Sequence, residues 1–209
     1  MKQVFIAIFL TLSTLAIAQS AKYEPAMKKA LTQMDSAKTT ADYQKAAALF
    51  ERIGDAEKTQ WLPYYYAASS LIVPAWTDAG IDKDKNAEKV NQLIEKAEAI
   101  EKNGDLYSLR YMVNTQQMVV NPQERFMTYG LKMQSAMSEG MRIDPNNPRL
   151  YYLQGSSLLN TPEQYGGGKA KAKVSLTKAM ELFEKETPKP MYPHWGKDMT
   201  QKALDECNK

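Results

Sequence analysis

The chain has 209 residues, 44% of them hydrophobic and 24% charged, with a formal net charge of +3. That length is enough for one domain with a real core, and so small a positive excess lacks the basic footprint of a nucleic-acid binder. One cysteine, Cys207, excludes an intrachain disulfide, and one histidine, His194, excludes multi-histidine metal centres.

At the amino terminus Lys2 precedes an apolar run from Val4 to Leu12, followed by Ala16-Ile17-Ala18. A positive start, a short apolar stretch and a small-x-small site predict a secretory signal peptide over residues 1–18. The run is too short to span a bilayer, which takes about 20 residues, so the chain is expected not to be membrane-spanning. The mature chain, 19–209, is then periplasmic or secreted.

Downstream, apolar residues recur with the 3.6 period of helices, and no stretch alternates as a strand would. Tyr43, Ala46, Phe50 and Ile53 form one stripe, closed by Gly54; Val90, Leu93, Ile94 and Ala97 form a second, ending before Gly104. Phe126, Tyr129, Gly130, Met133, Met137 and Gly140 form a third, opened by Asn121 as cap and Pro122 at the first helical position. The fourth is Ala172, Leu176, Ala179 and Phe183. Helices rich in Tyr and small residues lie between, at about 61–73, 105–119 and 148–160.

The spacing small, large apolar, small recurs in Ala172, Leu176 and Ala179 and, less strictly, in Val90, Ile94, Ala97 and in Met133, Met137, Gly140. A first-helix pattern appears as Tyr64, Ala67, Ala68, Leu71 and again as Tyr151, Gln154, Gly155, Leu158. In these residues the chain resembles the tetratricopeptide-repeat (TPR) family over about 24–187. The motif starts at Ala46, Val90, Met133 and Ala172 stand further apart than the roughly 34 residues of a standard unit. The resemblance therefore implies an all-α, irregular, TPR-like right-handed stack of antiparallel helix pairs, at about 24–53, 61–102, 105–142 and 148–187. A capping helix at 194–207, entered through Pro193 and anchored by Trp195, would close the stack.

The same resemblance implies a concave surface lined by the first helix of each pair. It assigns Leu62, Tyr65, Ser69 and Ile72 to one unit and Arg149, Tyr152 and Ser156 to another, with Leu109 in the middle unit. Such a groove suits a peptide or an amphipathic helix, or an acyl chain.

The loop Asn160-Thr-Pro-Glu-Gln-Tyr-Gly-Gly-Gly-Lys169 has a capping-box pattern at Thr161 and Gln164 and three glycines before a helix. It fails the P-loop pattern, which leaves Gly167, Gly168 and Lys169 as an anion site set against a solvated basic face. The Pro-x-x-Tyr-Gly-Gly turn is similar to one in some exported bacterial repeat proteins, including helical subunits associated with TRAP-type transporters.

No complete catalytic or metal motif is present, so the chain reads as a non-enzyme with no cofactor and no metal. Two functions stay open: a protein-interaction scaffold of the cell envelope with a protein or peptide partner, and a periplasmic carrier or transporter accessory for a hydrophobic small molecule. Amino-terminal sequencing of the exported protein is expected to begin at Gln19; retention of residues 1–18 refutes the signal assignment.

Overall fold

The computed structural model describes residues 21–187 and 189–209; the expected signal segment, 1–18, lies outside them. Among the described residues nine α-helices and two short 3₁₀ turns occur, and no strand, so the chain is all-α. The helices are α1 (Tyr23–Asp35), α2 (Thr40–Glu57), α3 (Leu62–Ile72), α4 (Lys83–Glu98), α5 (Gly104–Met118), α6 (Pro122–Ile143), α7 (Pro148–Asn160), α8 (Lys169–Lys185) and α9 (Lys197–Cys207). None of them is long and apolar enough to cross a membrane.

Local chemistry sets most of the starts. Thr39 and Asp42 form a reciprocal capping box on α2, Asp82 accepts from the amides of Asp84 and Lys85 on α4, and Asn103 accepts from Leu106 on α5. Asn147 accepts from the amides of Arg149 and Leu150 on α7. Each cap satisfies donors that the first turn leaves without partners. Asn121 is different: its side chain makes no capping bond, and the fixed backbone angle of Pro122 starts α6 instead.

Gly54 does not end its helix, which runs on to Glu57 and turns at Lys58 in the left-handed conformation. The glycine serves close packing instead, since a Cβ there would sit 2.7 Å from the Tyr64 ring. Gly140 lets α6 approach α5 and α7 in the same way, with Tyr107 and Leu150 against its backbone.

Successive helices pack on one another from α1 to α6 and again from α7 to α9, whereas α6 meets α7 only through its second half, where Gly140 and Met137 lie against Leu150. Across the layer α3 lies against α5 and α5 against α7. The larger core gathers Phe50, Tyr65, Tyr66, Ile94 and Leu109 among α1–α5. A smaller one holds Tyr107, Tyr111, Ala136, Met137 and Leu150.

Between α8 and α9 the described chain lacks regular helix, and the last helix starts at Lys197 rather than at 194. This strap runs across α3 and α7. The Tyr66 hydroxyl donates to the Met191 carbonyl at 2.9 Å, Trp195 Nε1 donates to the Tyr65 hydroxyl at 2.7 Å, and Trp61 meets Tyr192 edge to face. Arg149, only 1% exposed, donates to the Pro193 carbonyl and to Glu186 at 2.7 Å, and its Nη1 lies 3.6 Å from buried Asp105. Burial pushes the Asp105 carboxyl above the usual range while Arg149 and Asn147 pull it down.

Replacing Arg149 by Ala leaves Asp105 buried without its counter-charge. Urea unfolding is expected to show a loss of about 3–5 kcal/mol.

Alkali tests the same core. Burial is the largest cause raising the phenol pKa values of Tyr23, Tyr65 and Tyr66 above 10.0. Their contribution to stability is therefore complete below about pH 10, where the unfolded phenol keeps its proton, and is lost as pH rises through the folded values. In an ultraviolet titration these three phenolates should appear as a late step that accompanies collapse of the helical circular-dichroism signal; complete ionisation of all twelve tyrosines with the fold intact would contradict their burial.

Candidate ligand groove

The thin contact between α6 and α7 opens a groove of about 620 Å³. Helix α6 contributes Phe126, Met127, Gly130, Leu131, Met133, Met137 and Met141; α5 adds Tyr111 and Met118, and α7 adds Gln154, Ser157 and Leu158. The volume falls within the roughly 300–1,000 Å³ of small-molecule sites. Phe126, Met127 and Leu131 are 61%, 71% and 63% exposed, a cluster of large apolar side chains with no protein cover. Surfaces of that kind mark binding sites in soluble proteins.

Five methionines line the groove. Unbranched, polarisable thioethers adapt to irregular partners, so the lining can mould itself to a large apolar ligand. Hydrogen-bonding capacity is confined to Tyr111 and to Gln134, Ser138, Gln154, Ser157 and Thr161. Burial raises the Tyr111 phenol, and its hydrogen bond with Ser157 only partly offsets this, so the phenol stays neutral at ordinary pH. Mid-helix Gly130 has nothing within 4 Å of where a Cβ would stand; its missing side chain widens the groove.

A larger cleft, about 910 Å³, lies beside the strap. Its walls mix aromatic residues with Asp35, Glu101, Asp105, Glu186, Lys178 and Lys185, and it holds exposed His194. That charged lining suits an apolar ligand poorly.

The residues expected on a concave surface have a different fate. Leu62, Tyr65, Ser69, Ile72, Leu109 and Arg149 are all buried, while Tyr152 and Ser156 are half-buried. Tyr65, Arg149 and Tyr152 do converge, but on the chain's own Trp195: Tyr65 hydrogen-bonds its indole, Arg149 stacks 5.8 Å over the ring and Tyr152 meets it at 6.2 Å. They cannot line an open groove in this conformation, because the strap already covers that face.

The glycine loop also departs from expectation. Gly167 and Gly168 donate their amides to the Pro162 and Leu158 carbonyls, so neither is free for an anion, and exposed Lys169 stands beside them without a cradle. Thr161 does not build a capping box; its hydroxyl donates back to Ser157 at the end of α7.

Sequence reasoning placed Phe126, Gly130, Met133 and Met137 on a buried stripe and so missed the groove. The available signal was the width of the apolar surface on α6. Met127, Leu131 and Met141 extend it well beyond the face that one packed neighbour can cover.

No family model and no curated protein matches the chain. Among solved structures it is similar to the HusA haemophore from Porphyromonas gingivalis, with 33% sequence identity, a TM-score of 0.81, and 91% of this chain and 94% of that chain covered. At that identity and coverage, the chain belongs to the family of the HusA haemophore.

Proposed function

We propose that this protein is a non-catalytic carrier that binds haem, or a comparable planar apolar ligand, in the groove between α6 and α7. The observation that carries the reading is the uncovered apolar wall of Phe126, Met127 and Leu131 in a chain related to a haemophore. A porphyrin offers two broad apolar faces, and burying them against thioethers and aromatic rings releases water from both surfaces. The lining fits the macrocycle, with polar groups to orient its edge. The only histidine, His194, lines the other cleft.

A peptide in the inner face of the helix stack has less support, because residues 191–195 already contact the side chains that would receive it. The fold reading that goes with the carrier is a TPR-like stack closed by α9, supported by the contacts of α3, α5 and α7. Export through the amino-terminal segment agrees with a carrier that collects its ligand outside the cytoplasm.

Haemin titration followed by the Soret band tests the site. A side chain added at Gly130 points into open space, so Gly130→Leu should preserve folding and improve helix propensity while filling the groove. Its haemin affinity is expected to fall by at least about tenfold, or about 1.4 kcal/mol, with the melting temperature unchanged or raised. His194→Ala should bind as the parent does. Intact binding in Gly130→Leu together with loss in His194→Ala would move the ligand to the cleft beside the strap.

A further inference from the structure

The first half of α6 stays apart from α7 although an apolar wall faces the gap. All three buried residues of α6, Ala136, Met137 and Gly140, lie in its second half. Among the described residues, the hydrogen bonds and ion pairs that the first half makes to other helices run to α4 and α5, and none runs to α7.

Those bonds form one cluster. Arg125 grips Asp84 on α4 with two parallel bonds, Nη1 to Oδ1 at 2.9 Å and Nη2 to Oδ2 at 2.8 Å. Arg125 Nη1 also donates to the Gln117 carbonyl at 3.0 Å. The Gln117 amide donates to Asp84 Oδ1 and to the Tyr129 hydroxyl, each at 3.1 Å, and Lys132 lies 4.7 Å over the Tyr129 ring. Helical periodicity puts Arg125, Tyr129 and Lys132 on the side of α6 opposite Gly130, Gln134 and Met141. The polar cluster therefore ties α6 to α4 and α5 on the side away from α7, while the hydrophobic effect favours closing Phe126, Met127 and Leu131 onto Leu158.

We propose that Asp84 and Arg125 are positioning residues that touch no ligand and hold the groove open against its own collapse. The inference rests on the carrier reading and deepens it. Affinity is then set partly by preorganisation, since a ligand binding a closed groove must first part the helices. Two parallel charge-assisted bonds suit the task because they fix orientation as well as distance.

The full chain and its Asp84→Asn, Asp84→Glu and Gln117→Met variants test this, with circular dichroism to confirm the helix content. Haemin association and dissociation rates are measured beside the fluorescence of anilinonaphthalene sulfonate, an apolar dye that reports an open groove without haemin. If the loss of charge in Asp84→Asn leaves about nine molecules in ten closed, the apparent haemin affinity falls roughly tenfold, through slower association. Dye fluorescence falls with it.

Gln117→Met removes two bonds of the cluster without changing charge and should shift both readouts in the same direction. Asp84→Glu keeps the charge and should stay close to the parent, a rescue that mere loss of a stabilising contact elsewhere would not show. Parent-like rates and dye binding in both Asp84→Asn and Gln117→Met overturn the proposal. If the parent itself takes up no haemin, the carrier reading falls, and the dye still decides the positioning role: equal fluorescence in parent and Asp84→Asn overturns it.

Discussion

The buried guanidinium of Arg149 is the interaction on which the carboxy-terminal half depends. It stands at the start of α7, and it reaches Asp105 on α5, Glu186 just after α8 and the Pro193 carbonyl of the strap. Phe183 and Trp195 pack against its faces. Taking a charge out of water is costly unless it is both paired and hydrogen-bonded, so these four pieces of chain must arrive together. An arginine serves here because its planar fork can serve several oxygens at once.

That requirement decides which surface remains free. The strap is drawn onto α3 and α7, where Trp61, Tyr65, Tyr66 and Tyr152 receive Met191, Tyr192 and Trp195. The face that an open helical stack would offer to a partner thus becomes part of the interior. The apolar surface left without cover lies between α6 and α7, where the pairing of successive helices is interrupted. Stability and binding are separated in this way, with an ionic knot and an aromatic strap on one side of α7 and a soft methionine-lined groove on the other.

The groove's composition fits the carrier proposed above, and in particular one that releases what it holds. It is open on one side, its contacts are apolar, and its thioethers adapt their shape without fixing a single geometry. A ligand held this way can be passed on without the breaking of a buried ion pair. On the proposed reading, polar contacts on α4 and α5 hold the groove open from behind, and the Arg125–Asp84 pair that makes them lies away from the apolar wall.

Much of the fold was legible in the chain itself, because helices are written in local pattern. The 3.6-residue stripes and the proline at the head of α6 settled the helical class and the approximate extent of the helices, whereas the caps at Thr39, Asp82, Asn103 and Asn147 emerged only with the structure. The lone histidine and cysteine excluded whole chemistries before any contact was known. What periodicity could not give was the partner of each apolar face. The α6 stripe reads the same whether α7 covers it or leaves it open, and Tyr65 and Tyr152 read the same on a groove or beneath a strap. Only the tertiary structure decided these points, because burial depends on contacts between residues distant in sequence, such as Trp195 with Tyr65 and Arg125 with Asp84, and local pattern carries no record of them.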